Sequence, residues 1–151
     1  MKKINLSITG CMGRMGQQLI KSSKKNKNFK LVALTENRLV NKKFNGIKPE
    51  LNSDKAFKKI DVIIDFTVPN CTLEILKIAS KLKKKVVIGT TGFTRSQENQ
   101  IKKYSKKIPI LKAFSEFNSG LIPLNFLFTN LFSVSVTNLK LLFFLEDFIS
   151  C

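Results

Sequence analysis

The strongest constraint on the fold is a glycine-rich turn between a strand pattern and a helical pattern. Residues 3–9 alternate polar and apolar side chains, Gly10, Gly13 and Gly16 follow, and a helical pattern begins at Arg14. Glycine allows the backbone to take positive φ angles and to approach a ligand closely, and the N–H groups at a helix start attract phosphate. The turn therefore predicts a phosphate-binding loop that carries a dinucleotide's pyrophosphate.

An acidic residue follows at the distance that a dinucleotide site requires. Glu36 closes a second apolar run over residues 31–35, roughly twenty residues beyond the last glycine, where a carboxylate can accept hydrogen bonds from ribose hydroxyls. The glycine spacing is G-x-x-G-x-x-G rather than G-x-G-x-x-G. The alternative interpretation is therefore a tight strand-to-helix turn with a surface glutamate after the next strand.

Two further apolar runs favour the ligand site over that alternative. Residues 61–67 end in Asp-Phe-Thr, and residues 86–88 are followed by Gly-Thr-Thr-Gly. Both runs are typical of buried parallel strands, and ligands of open α/β sheets lie beyond the carboxyl ends of the strands. The four strand ends predict one crevice in a Rossmann-type, doubly wound parallel sheet of the α/β class, spanning residues 1–113.

The helical segments follow from apolar spacing and from one capping signal. Apolar residues at helical spacing predict helices over residues 14–26 and 70–83. Thr94 stands three residues before Gln97, which is a capping-box signal for a further helix ending near Lys106.

Together these motifs resemble the nucleotide-binding half of the dihydrodipicolinate reductase family of lysine and diaminopimelate biosynthesis. The resemblance rests on the Gly-Arg-Met-Gly turn at residues 13–16, on Asp-Phe-Thr at 65–67 followed by Pro69, and on Ile-Gly-Thr-Thr-Gly-Phe at 88–93. It covers residues 1–113 and implies an oxidoreductase that uses NADPH or NADH. The cofactor-binding residues that it implies are Gly10, Cys11, Met12, Gly13, Arg14, Met15, Glu36, Arg38, Phe66, Thr67, Gly89, Thr90, Thr91 and Ala113.

The family's catalytic groups have no counterpart in this sequence. In the family a histidine donates the proton, a lysine assists, and a Ser-Gly-Thr loop holds the substrate carboxylate, all in a second domain that forms the tetramer. The sequence contains no histidine, and hydride transfer to an imine-like carbon needs a proton supplied in step. We therefore assign no catalytic residue, with Lys112 and Lys140 as the remaining candidate donors.

These absences lead us to expect a chain without the C-terminal catalytic domain. It would be either a short protein or the product of a truncated or frameshifted gene, and it would take a small anionic substrate only if a catalytic domain is supplied. A nucleotide-binding protein with no reaction of its own is an alternative from another class.

The net charge of +17 raises a further alternative, a basic nucleic-acid-binding protein, because lysine and arginine neutralise phosphates. The basic residues are nearly all lysines, with arginine only at positions 14, 38 and 95. Base reading favours arginine forks and aromatic platforms. Lysine runs on helices are more typical of a solvated surface, so we expect no nucleic-acid partner.

The cysteines and the amino terminus indicate a cytoplasmic protein. Cys11, Cys71 and Cys151 are too few and too widely spaced for a zinc site or a disulfide framework, and we expect no metal. The first residues enter a strand after two lysines and lack the apolar core of a signal peptide.

Composition changes after Lys112. Residues 114–151 are rich in phenylalanine, and residues 120–139 carry no charge over a length that could span a bilayer. Pro123 and three asparagines interrupt that stretch, so we expect no membrane span. This apolar tail resembles the junction to the family's catalytic domain, and we expect it to drive self-association.

Overall fold

The chain forms a six-stranded parallel sheet, and the computed structural model describes residues 3–24 and 27–112. The strands are β1 (Ile4–Thr9), β2 (Phe29–Glu36), β3 (Glu50–Leu51), β4 (Val62–Asp65), β5 (Lys85–Ile88) and β6 (Ile110–Lys112). Their order is β3-β2-β1-β4-β5-β6, and every pair is parallel. This is the doubly wound order with its reversal between β1 and β4, which confirms the predicted Rossmann-type fold.

Helices connect the strands. They are α1 (Arg14–Ser23), α2 (Asp54–Phe57), α3 (Pro69–Leu82) and α4 (Arg95–Ser105). Three of them begin for a reason visible in the sequence: Ser53 caps α2, a proline opens α3, and Thr94 and Gln97 form the predicted capping box of α4. α3 is followed by its C-cap residue Lys83, a left-handed residue with φ of 54° that turns the chain toward β5.

One part of the core lies between the central strands and the helices α2, α3 and α4. Ile63 of β4, Val86 of β5 and Ile75 of α3 are fully buried, and they belong to one apolar cluster that includes Phe57 of α2 and Ile101 of α4. The four residues of β4 are all buried, as expected for a central strand of a parallel sheet covered on both faces. This packing holds β4 and β5 against the helices.

The structure differs from the sequence-based boundaries where elements are short or end early. β3, α2 and β6 have two to four residues each, which is too short for a hydrophobic period to register. α1 ends at Ser23 rather than at residue 26. The run over residues 61–67 is longer than β4, since Phe66 and Thr67 already lie in the loop. That loop faces the candidate site.

Candidate functional site

The turn after β1 requires glycine at its first position. Gly10 has a φ of 73°, and a Cβ there would lie 2.2 Å from the carbonyl oxygen of Phe66. The Gly10 N–H donates to the carbonyl of Thr35, and the Gly13 N–H donates to the carbonyl of Gly10, both at 3.0 Å. The loop is thereby tied to β2 and to the loop after β4.

The start of α1 carries no cap. Gly13 is the N-cap residue and supplies no side-chain hydrogen bond, and no acidic residue stands in the first turn. By contrast, side chains of Ser53 and Thr94 satisfy backbone N–H groups at the starts of α2 and α4. The first N–H groups of a helix have no partner within the helix, so α1 directs these donors and the positive end of its dipole toward the turn.

Glu36, the last residue of β2, reaches back to this turn. Its Oε1 accepts a hydrogen bond from the Met12 N–H at 2.7 Å, and the residue is 9% exposed. The buried Cys11 thiol donates a hydrogen bond to the same carboxylate, and burial together with the charge of Glu36 raises the pKa of this thiol to about 12. Two neighbouring residues of the turn therefore hold the carboxylate in place.

A cavity of about 500 Å³ opens at these strand ends. It lies beyond β1, β2 and β4, where the order of the sheet reverses, which is the place where open α/β sheets bind ligands. Its lining residues are Gly10, Met12, Gly13, Glu36, Asn37, Arg38, Phe66, Thr67 and Val68.

Seven of these lining residues belong to the cofactor-binding set expected from the sequence, and Asn37 and Val68 do not. Val68 is an apolar side chain that is 56% exposed. The sequence could have indicated Val68 through its position between the Asp-Phe-Thr strand end and the proline that opens α3.

The structure places the other expected site residues around the cavity rather than in its lining. Cys11 is buried beneath the turn, Arg14 is exposed, and Met15 is half-buried at the start of α1. Gly89 and Thr90 are buried after β5, whereas Thr91 is exposed. Ala113, like the tail over residues 114–151 with its expected self-association, lies outside the described residues.

The loop after β5 is joined to the cavity wall by two contacts. A Cβ on Gly89 would lie 2.2 Å from the Phe66 ring, so that ring rests directly on the glycine. The Thr67 N–H donates to the Thr90 hydroxyl at 2.9 Å. Phe66 and Thr67 therefore contact both Gly89 and Thr90, two of the expected cofactor-binding residues, and they tie the two loops together.

Lys112, one of the two candidate proton donors, is engaged elsewhere. Its Nζ contacts both carboxylate oxygens of Glu98, at 2.6 and 2.8 Å, and lies 5.5 Å from the centroid of the Phe93 ring. Its ammonium group is therefore paired, and Lys112 is not among the residues that line the cavity. The other candidate, Lys140, lies outside the part of the chain that the structure describes.

Metal sites and membrane spans are absent from residues 3–24 and 27–112. No group of three or more histidine, cysteine, aspartate or glutamate side chains there could hold a metal ion. Within the same residues, no helix has the length and apolar character needed to cross a membrane.

Both cysteines of the described residues should resist thiol reagents while the chain is folded. Cys11 and Cys71 are buried free thiols, and burial raises the pKa of each above its ordinary value. Because the thiolate is the reactive form, we expect no labelling of either by iodoacetamide at mildly alkaline pH and full labelling in urea. Mass spectrometry of the two peptides measures this, and rapid labelling of Cys11 in the native chain would contradict its placement.

Comparisons with known proteins agree with this architecture. The family described as dihydrodipicolinate reductase, N-terminus, matches residues 4–115. The 4-hydroxy-tetrahydrodipicolinate reductase of Pelagibacter ubique (strain HTCC1062) is 74% identical over 113 residues, which is 75% of this chain and 44% of that protein. The reductase of the same name from Buchnera aphidicola subsp. Acyrthosiphon pisum (strain 5A) is 41% identical over 133 residues, 80% of this chain and 48% of that protein.

Solved structures of other proteins share the fold of this chain. A dipicolinate-bound dihydrodipicolinate reductase from Paenisporosarcina sp. TG-14 superposes with a TM-score of 0.58 at 27% identity, covering 69% of this chain and 43% of that one. A myo-inositol 2-dehydrogenase from Lactobacillus plantarum, at 20% identity over 75% of this chain and 37% of its own, superposes with a TM-score of 0.63 and shares the fold.

These matches cover the N-terminal part of the family's proteins. The chain spans less than half the length of the curated relatives named above, and the family match covers the glycine turn, Glu36 and the loops after β4 and β5. The family resemblance expected from the sequence is confirmed: the chain belongs to the dihydrodipicolinate reductase family, which it matches through the N-terminal domain.

Proposed function

We propose that this domain binds NADH or NADPH across the carboxyl ends of β1, β2 and β4. The pyrophosphate would lie on the glycine turn and the start of α1, and Glu36 would take the hydroxyls of the adenine-side ribose. The observation that carries the proposal is the joint position of the uncapped α1 start and the Glu36 carboxylate in one cavity.

The available N–H groups support a phosphate at the turn. The Met12 N–H is used by Glu36 and the Gly13 N–H by Gly10, whereas Arg14 and Met15 open α1, where N–H groups have no partner within the helix. An anion that accepts from this first turn also gains from the helix dipole. The exposed Arg14 side chain adds positive charge beside it.

The described geometry also supports an adenine-side role for Glu36. The carboxylate is fixed by Met12 and Cys11 at the end of β2, next to the turn but displaced toward β3. A dinucleotide whose pyrophosphate lies on α1 would therefore direct its adenine half over β2 and its nicotinamide half over β4 and β5. Arg38 lines the cavity beside Glu36.

We further propose that the domain contributes the hydride donor to a reductase reaction on a dihydrodipicolinate-type substrate. The net charge of +17 would attract an anionic substrate toward the site. The groups that bind this substrate and donate the proton are not among the described residues at the cavity. Free thiols such as the buried Cys11 and Cys71 are typical of proteins in a reducing cytoplasm, where we place this protein.

The preference between NADH and NADPH should be weak. Glu36 repels a 2′-phosphate, whereas Arg38 in the same lining attracts it. We expect NADH and NADPH to bind within about tenfold of each other, or roughly 1.4 kcal/mol, as measured by calorimetric titration of the intact chain.

Arg38→Ala should shift this balance toward NADH, while Arg95→Ala, on α4, should leave it unchanged as the control. A thousandfold preference of the wild-type chain for either cofactor would contradict the opposed roles of Glu36 and Arg38.

The purified chain should not turn over a dihydrodipicolinate-type substrate at an enzymatic rate. An enzyme must hold both reactants in line and supply the proton, and this sequence contains no histidine while Lys112 is paired with Glu98. We expect NADPH oxidation at the background rate in protein free of host reductase. Turnover near 1 per second or faster, in the usual enzymatic range, would show that proton donation is supplied by groups we have not identified.

A further inference from the structure

Asp65, the last residue of β4, is a buried carboxylate that the cofactor assignment leaves without a role. It is fully buried, and it pairs in register with Thr9 of β1 and with Ile88 of β5. It takes part in neither of the salt bridges formed among the described residues. Burying a carboxylate is costly unless hydrogen bonds compensate it, so its partners define what it does.

Four threonine hydroxyls donate to this carboxylate. Oδ1 accepts from Thr9 at 2.9 Å and from Thr67 at 2.7 Å, and Oδ2 accepts from Thr72 at 2.5 Å and from Thr90 at 3.1 Å. Burial raises the pKa of Asp65, and the four hydrogen bonds oppose that rise. The donors come from the end of β1, the loop after β4, helix α3 and the loop after β5.

Two of these donors belong to the loops at the proposed nicotinamide end. Thr67 lines the cavity, and its methyl group lies 3.1 Å from where a Cβ of Gly10 would stand. Thr90 donates to Asp65 and accepts from the Thr67 N–H at 2.9 Å. The Gly89 N–H also donates to the Asp65 carbonyl at 2.8 Å. Asp65 therefore holds the loops after β4 and β5 at a fixed separation.

We propose that Asp65 is a positioning residue that fixes the loops after β4 and β5 for the nicotinamide half of the cofactor. The inference rests on the proposed function, in which the nicotinamide half lies over β4 and β5. It follows that Asp65 contributes little to the adenine half, which lies over β2 on the far side of β1. ADP-ribose contains the adenine half and the pyrophosphate but no nicotinamide, so it separates the two contributions.

The test compares the dissociation constants of NADH and ADP-ribose by calorimetry in the intact chain. Asp65→Asn keeps the size of the side chain but replaces one acceptor oxygen by a donor. We expect NADH to bind about tenfold more weakly and ADP-ribose to bind within about twofold of the wild type. Equal factors for the two ligands, or no change in either, would overturn the positioning role.

Variants at the hydroxyls keep the test decisive if Asp65→Asn does not fold. Thr90→Val removes one of the two donors to Oδ2 and should reproduce the selective loss of NADH affinity, while Thr90→Ser keeps the hydroxyl and should restore the affinity. Thr72→Val is the matched control, because it removes the other hydrogen bond to Oδ2 from helix α3, away from the cavity lining. If Thr72→Val shifts the ratio as much as Thr90→Val, Asp65 acts through general stability and the proposal fails.

A double-mutant cycle separates positioning from direct contact. If Thr90 acts through Asp65, Thr90→Val should add little to the loss of NADH affinity already caused by Asp65→Asn. Additive losses would mean that Thr90 contacts the cofactor independently and would overturn the proposal.

Two results with the wild-type chain separate this inference from the proposed function. Wild-type chain that binds ADP-ribose but not NADH would overturn the inference and leave the phosphate site intact. Wild-type chain that binds neither would overturn the proposed function itself.

Discussion

Gly10→Ala should lose about 4 kcal/mol of unfolding free energy, a large share of a domain's usual stability of about 5–15 kcal/mol. The added methyl group meets two penalties at once. The φ of 73° is a left-handed conformation, and the Cβ would lie 2.2 Å from the Phe66 carbonyl oxygen, a backbone atom that cannot rotate away. Urea unfolding followed by circular dichroism measures the loss.

Gly46→Ala is the matched control for the backbone penalty. Gly46 has a similar φ of 78°, and its Cβ would meet nothing within 4 Å, so the cost should be only the left-handed strain of about 1–2 kcal/mol. The difference between the two variants isolates the close approach of the glycine turn to the loop after β4. Equal losses in the two variants would contradict this packing.

Gly13→Val should weaken dinucleotide binding strongly while the chain stays folded. Gly13 has φ of −69° and ψ of 161°, which any residue can adopt, and an added Cβ would lie 3.3 Å from the Gly10 carbonyl oxygen. The glycine is exposed in the cavity lining, so a branched side chain would occupy space that the pyrophosphate needs. We expect NADH affinity to fall at least about hundredfold, roughly 2.8 kcal/mol, in calorimetric titrations.

Gly13→Ser separates binding from stability at the same position. Serine is a strong N-cap residue, and α1 has no side-chain cap, so this variant should unfold at the same or a higher urea concentration than the wild type. The Gly13→Ser chain should still bind NADH more weakly than the wild type, because the added Cβ occupies part of the space for the phosphate. Unchanged NADH affinity in Gly13→Val would contradict the proposed position of the pyrophosphate on the turn.

The sequence predicted the parts of the fold that have strong local signals. β2, β4 and β5 were recognisable as continuous apolar runs, which are typical of buried parallel strands, and β1 was recognisable from its alternation before the glycine turn. The capping box of α4 marked its start to the residue. β3 and β6 were missed because a strand of two or three residues is defined by its neighbour in the sheet rather than by its own pattern. The end of α1 was placed too late because lysines fit a helix and the coil after it equally well.

For the site, spacing predicted which residues converge but not how they bond to one another. The approach of Glu36 to the Met12 N–H depends on the register of β1 with β2, which no local pattern specifies. The role of Asp65 was not predicted, because its four partners come from segments as far apart as Thr9 and Thr90. An acidic residue closing a buried apolar strand was the available signal.

Hydrogen–deuterium exchange of the intact chain with and without NADPH tests the central claim most directly, because it locates the ligand on the backbone. We predict slower exchange in peptides covering residues 10–16, 36–38 and 66–68, together with 89–91, and no change in α4 or β3. The Gly13→Val chain should show no protection at the same NADPH concentration. Protection confined to other segments, or its absence in the wild-type chain at saturating NADPH, would contradict a dinucleotide site at the carboxyl edge of this sheet.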